Sequence, residues 1–193
     1  MPISRFANDL VRILNQEPVP AGLQKEQELE QAFVLPIVER LVPEHTDVLV
    51  YVHPWRRTTL CTPVCAVLPP SGTGRVLGCP KCWEISKKKW ASVGAFGTHH
   101  TFDLAAIDSA GEKLAVELKL SRPRQGRLPS GDVQRLLGQC ALARTKHDLV
   151  VGYFVYEGNL DQRWQEDTGK ASVWLEAQSI RLVFRSVSPL ATG

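Results

Sequence analysis

The fold turns on three consecutive pieces of chain, Thr101-Phe-Asp-Leu-Ala-Ala-Ile-Asp108, Ser109-Ala-Gly111 and Glu112-Lys-Leu-Ala-Val-Glu-Leu-Lys-Leu120. In the last of them Leu114, Val116, Leu118 and Leu120 recur at every second position, which is the period of a strand and puts Glu117 and Lys119 together on the opposite face. The run His100–Ile107 is apolar enough to be its partner strand. Ser109-Ala-Gly111 between them suits a three-residue hairpin loop with Gly111 in the left-handed conformation. A loop centred on Ala110 pairs Asp108 with Glu112, and the same register carried along the ladder sets Asp103 across from Glu117. Directly opposed Cβ atoms are then roughly 4.5–5.5 Å apart. A slip of one residue would send the whole set to the other face.

Two carboxylates that close repel one another unless a cation lies between them, so the arrangement is costly as pure structure. The plainer reading is an amphipathic hairpin with a solvated polar face. Carboxylates are hard ligands suited to Mg²⁺ or Mn²⁺ with several waters retained. With a lysine on the same face, this is equipment for metal-assisted hydrolysis of a phosphodiester.

The pattern resembles the PD-(D/E)XK, or restriction-endonuclease-like, nuclease superfamily, in which an acid on one core strand is followed by (Asp/Glu)-x-Lys on the next. Asp103 matches the first acid, with Phe102 where the family's name has Pro, and Glu117 and Lys119 match the second acid and the lysine. A helix over Leu23–Leu41, a second over Val133–Lys146 and an apolar run from Asp148 to Tyr156 extend the resemblance across residues 23–156. It implies an α/β fold, a mixed central β-sheet flanked by helices with an αβββαβ core. In that family a glutamate from the first helix often completes the metal site. Here Leu29, Phe33, Ile37 and Leu41 form an apolar stripe onto which both Glu26 and Glu30 project, Glu30 being preferred. Related nucleases also use a glutamine near the second helix. Gln134, at the edge of the stripe Val133, Leu136, Leu137, Cys140 and Arg144, is the candidate, beside the reading of an ordinary surface glutamine.

Residues 54–90 read as an inserted module. Cys61 and Cys65, then Cys79 and Cys82, are two close pairs on turn-forming sequence, the pattern of a four-thiolate structural Zn²⁺ site. An iron–sulfur cluster is the competing reading, since some nucleases resembling this superfamily carry one on four cysteines. The module is basic: Arg56, Arg57, Arg75, Lys81, Lys87, Lys88 and Lys89 stand against a lone Glu84, in a chain of formal charge +3. A second basic stretch, with Arg122, Arg124 and Arg127, leaves directly from the strand carrying Glu117 and Lys119. Both suit sequence-blind contacts to a polyanion, and a solvated face is the bland alternative. Trp83 and Trp90 could stack bases or serve as small-domain core. His99 shares strand parity with Asp103 and could bind metal or phosphate, but the expected role of His99 and His100 is polar strand edge.

The remaining chain completes one nuclease-like domain over residues 1–193, a length that can bury one good core. Phe6, Leu10, Ile13 and Leu14 make residues 4–16 an amphipathic helix; Asp148–Tyr156 suits a buried central strand. Gly158–Lys170 reads as a polar loop, followed by a helix over Ala171–Gln178 and a strand over Ile180–Arg185. No apolar run approaches a membrane span, no signal-peptide hydrophobic region opens the chain, and reduced cysteines fit a cytoplasmic setting without membrane contact. The sequence therefore predicts a divalent-metal-dependent nuclease acting on nucleic acid, with DNA ahead of RNA by resemblance only. Retention of the fold as a binding or assembly module without turnover is the alternative. A homodimer or larger complex would suit double-strand cutting, though no residue demands one.

Overall fold

A computed structural model describes residues 2–52, 75–77, 91–95 and 98–187. Cys61, Cys65, Cys79, Cys82, Arg56, Arg57, Lys87, Lys88, Lys89, Trp83 and Trp90, and so the inserted module apart from one short strand, lie outside the described residues.

The helices are α1 (Pro2–Gln16), α2 (Glu26–Leu29), a π-helical turn (Glu30–Val34), α3 (Leu35–Leu41), α4 (Ser130–Arg144) and α5 (Gln162–Ala177). The strands are β1 (Val48–Val52), β2 (Arg75–Leu77), β3 (Ser92–Ala95), β4 (Thr98–Thr101), β5 (Leu104–Asp108), β6 (Lys113–Ser121), β7 (Leu149–Glu157) and β8 (Ile180–Val187). Six of them form one sheet in the order β2-β1-β5-β6-β7-β8, and β3 pairs with β4 in a separate ribbon. The chain meanders antiparallel from β1 through β5 to β6, then crosses over through α4 to place β7 parallel to β6, with β8 parallel beyond it. The result is a mixed central sheet flanked by helices.

Each sheet face is covered by its own apolar layer. On one side Phe6, Leu10 and Leu14 of α1, with Leu29, Phe33, Ile37 and Leu41, bury Leu114, Val116 and Leu118 of β6. On the other, Leu136, Cys140 and Ala143 of α4 bury Ala105, Ala115, Val150 and Phe154. Coverage on both sides is why β7 reads as an unbroken apolar run. Its Tyr153, wholly buried, donates its hydroxyl hydrogen to the Leu14 carbonyl at 3.0 Å, which ties α1 to the middle of the sheet. Gly152 of β7 sits beside Glu117 in the register. A Cβ there would lie 2.9 Å from the Cys140 sulfur and 2.8 Å from Leu182, so only glycine lets α4 pack this closely behind the acid.

Three predicted elements are redrawn. The strand expected over His100–Ile107 is broken at Phe102 and Asp103, leaving β4 in the ribbon and β5 in the main sheet. The helix expected from Leu23 begins at Glu26 and contains a π turn, in which the Leu35 N–H reaches back five residues to the Glu30 carbonyl. Pro36 accounts for it: proline has no N–H to give the Ala32 carbonyl, and its ring pushes the preceding turn open. The polar loop expected over Gly158–Lys170 is mostly helix. Asp161 caps α5 by accepting the Trp164 N–H at 2.7 Å, and that cap starts a helix with no buried residue. Arg144 also leaves its predicted apolar stripe. It is exposed, and donates to the carbonyls of Gln178 and His147. Among the described residues no helix is long and apolar enough to cross a membrane.

Candidate active site

The hairpin closes as its turn chemistry requires. The Asp108 N–H donates to the Glu112 carbonyl and the Gly111 N–H to the Asp108 carbonyl, both at 3.0 Å, with Gly111 at φ 88°. Leu104 pairs with Val116 and Ile107 with Lys113, so the expected register holds. The ladder ends at Leu104 and Val116, so Asp103, one residue before β5, is not among the paired residues and meets β6 through its side chain instead.

At Phe102 the chain departs for the ribbon, where the Phe102 N–H donates to the Ala91 carbonyl at 3.2 Å. The Leu118 N–H of β6 then loses the backbone acceptor it would have had at Phe102. The Asp103 carboxylate replaces it, Oδ2 accepting that N–H at 2.8 Å. The break in the strand thus pins the first acid beside the second.

Glu117 and Lys119 are both buried, at 1% and 6% exposure. A buried charge requires a partner, and the two find different ones. Lys119 forms an ion pair with Glu26 at the start of α2. Glu117 is bound by His100 of β4, imidazole Nε2 to carboxylate Oε1 at 2.8 Å. Burial pushes the Glu117 carboxyl up to about 7; the His100 hydrogen bond opposes this, and the nearby Asp103 charge adds to it. His100 is raised from its ordinary value, first by that same hydrogen bond, with burial acting against it.

Glu26, Glu30 and Asp103 line one open cleft of about 470 Å³, together with Gln24, Lys25, Gln27 and Leu120. Both glutamates predicted from the first helix therefore reach the site. Glu30, at the first position of the π turn, is 2% exposed; Glu26 is half exposed. The donor set is carboxylate oxygen throughout, which fits a hard divalent cation that keeps part of its water shell. Among the described residues no group of three or more His, Cys, Asp or Glu side chains is placed to hold a metal ion. Lys119 and His100 each hold a carboxylate that a cation would have to take from them.

The predicted nucleic-acid contacts fare unevenly. Arg122, Arg124 and Arg127 surround a tight turn in which Arg124 and Arg127 exchange both backbone hydrogen bonds, with Gln125 and Gly126 at positive φ. Arg127 is paired with Asp161 at 3.0 Å and Arg122 with Glu157 at 3.5 Å. Arg124 has no ion pair among the described residues. Gln134 is exposed on α4. The residue that sequence reasoning misplaced is His100, expected at a polar strand edge. Parity counted through Phe102 favoured His99, and nothing in Thr101-Phe-Asp103, which lacks Gly and Pro, announces the break. Burial of Cys140 on α4, helped by the Glu117 charge nearby, pushes its thiol well up, as suits an inert core cysteine. No protein-family model, curated protein or solved structure matches the chain.

Proposed function

We propose that the chain is a divalent-metal-dependent nuclease of the PD-(D/E)XK kind, hydrolysing phosphodiester bonds in nucleic acid, with DNA ahead of RNA. One observation carries the reading: Asp103, Glu26 and Glu30 line one cleft, Asp103 is bound to the Leu118 N–H next to buried Glu117, and buried Lys119 pairs with Glu26. The topology is compatible with it: of the six described strands before α4, β1, β5 and β6 lie antiparallel in the main sheet, and α4 leads on to β7 parallel to β6. A buried lysine and a carboxyl held near neutrality are expensive features that structure alone does not require.

Asp103, Glu117 and Glu30, with Glu26 as the alternative, would hold Mg²⁺ or Mn²⁺. The bound ion supplies an acidified water and offsets charge developing on the phosphate. Lys119 contributes a fixed ammonium group; once Glu26 is displaced by a phosphate oxygen, it holds the attacking water or contacts the scissile phosphate. Arg124 meets the backbone of the incoming strand. The four cysteines Cys61, Cys65, Cys79 and Cys82 enter the proposal as a structural zinc site on their spacing alone.

The second reading, a binding or assembly module without turnover, is favoured by one fact. Three charges of the site already have partners within the protein: Lys119 has Glu26, Glu117 has His100, and Asp103 has the Leu118 N–H. The deciding assay incubates purified protein with single-stranded, duplex and branched DNA in Mg²⁺ or Mn²⁺, beside Lys119→Ala and Asp103→Asn. Cleavage by the natural sequence that falls about 10²–10³-fold in both variants supports the nuclease. Cleavage undiminished in both removes the site from consideration, and binding that needs no metal and leads to no cleavage promotes the second reading.

A further inference from the structure

We infer that His100 is a positioning residue of this site, which fixes the Glu117 carboxylate from a ribbon outside the main sheet; the inference rests on the nuclease reading above. The motif lysine does not perform that task, because Lys119 is committed to Glu26. What meets Glu117 is the imidazole, at 2.8 Å on Oε1. Anchoring one oxygen stops the carboxylate from rotating and so fixes where Oε2 can serve a ligand.

The ring is itself held. Phe102, wholly buried, meets it edge-on at 5.5 Å between centroids and meets the buried His147 in the same way at 4.6 Å. Backbone pairing of Val93 with His100 fixes the strand that carries it, and Val93 and Ala91 are buried in the layer under α4. His100 is thus delivered by buried anchors on its own ribbon, and its side chain keeps 26% exposure. Partners that orient a metal-ligating carboxylate are second only to the ligands in their effect on the site.

The test uses the full chain in four forms: the natural sequence, His100→Ala, His100→Leu and His100→Gln. Cleavage rates are measured against DNA and Mn²⁺ concentration, free Mn²⁺ is titrated by electron paramagnetic resonance, and each variant is melted. His100→Ala should lower kcat or raise the Mn²⁺ needed for half activity by about 10–100-fold, with KM for DNA little changed. Gln can donate a hydrogen bond from a similar position without titrating, so His100→Gln should recover most of the loss. If His100→Ala does not fold, the Leu and Gln variants decide: impaired Leu with active Gln supports the inference, and equal activity overturns it. A lowered melting temperature with unchanged kcat and Mn²⁺ dependence also overturns it, leaving a purely structural histidine. Natural protein that neither binds Mn²⁺ nor cleaves defeats the nuclease reading and this inference with it. Natural protein that cleaves no better than His100→Ala defeats this inference alone.

Discussion

Asp108 and Glu117 are both buried acids on one hairpin, and the fold treats them in opposite ways. Asp108 is surrounded by backbone donors: Oδ1 accepts the N–H groups of Ala110 and Glu112 at 2.9 Å, and Oδ2 accepts that of Ile3 at 3.3 Å. Those dipoles are fixed by the turn and by the first turn of α1, so the charge is compensated as soon as the chain folds. Glu117 has an imidazole on one oxygen and a second carboxylate nearby, and burial drives it up to about 7. The difference separates an acid that holds the structure from one kept ready for another ligand. Backbone donors compensate permanently, whereas a side chain that can move or lose its proton compensates conditionally.

Exchanging the two acids for neutral residues should therefore split stability from activity, and this is the largest effect expected. Glu117→Gln removes a ligand and a poorly compensated buried charge. Cleavage should fall about 10²–10³-fold, while the melting temperature above neutral pH holds or rises. Asp108→Ala leaves at least the Ile3 N–H without its acceptor and should cost about 1–3 kcal/mol or more, with cleavage per folded molecule retained. Parallel denaturant melts and cleavage assays on the two variants measure this. If Glu117→Gln proves the less stable protein and Asp108→Ala the less active, the comparison is wrong.

A smaller effect is expected from pH, and its sign follows from the direction of both shifts. The folded carboxyl of Glu117 lies near 7, above its ordinary 4.5. Its contribution to stability is complete below about 4.5 and is lost as pH rises through about 7. His100 is also raised, above 6.5, so its contribution too is lost as pH rises through its folded value. Metal-free protein should therefore lose stability as the pH climbs across the neutral range. Millimolar Mn²⁺, which favours the ionised carboxylate, should reduce or reverse that slope, and Glu117→Gln should flatten it. Melts between pH 5.5 and 8.5 with and without Mn²⁺ test this, and a metal-free slope of the opposite sign would remove the dyad from the account.

How far the sequence discloses this depends on the range of the forces involved. The hairpin was legible because Gly111 and the two-residue alternation are local signals, and a three-residue loop leaves one register. Glu26 and Glu30 were legible as a pair on one helix face, although the π turn over Glu30–Val34 shifts the phase of the residues after it. The Glu117 contact with His100 was not, because it follows from a break in a run with no breaking residue. What produces that break is tertiary: Phe102 is drawn into the layer under α4 and Asp103 stands in for its backbone. Helix α5 escaped for the reverse reason. It carries no apolar stripe, and its one local signal is the cap at Asp161, easily read as part of a loop.

The contrast between compensated and uncompensated charge extends to the surface, where the smallest effect is expected. Arg127 is paired with Asp161, itself fixed as the cap of α5, and Arg122 is paired with Glu157, whereas Arg124 stands on the same turn without an ion pair among the described residues. A phosphate must outbid Asp161 to reach Arg127, whereas among the described residues no acid competes for Arg124. If this turn meets the nucleic-acid backbone, Arg124→Ala should reduce the slope of log affinity against log salt by about 1, and Arg127→Ala should reduce it by less. Both should act alike on unrelated DNA sequences, since phosphate contacts carry no base information. The measurement is fluorescence anisotropy with labelled DNA over a series of salt concentrations, with a chelator present to prevent cleavage. Equal slopes for the two variants would mean that the pairing with Asp161 does not hold Arg127 back, and an unchanged slope for Arg124→Ala would take this turn out of the binding surface.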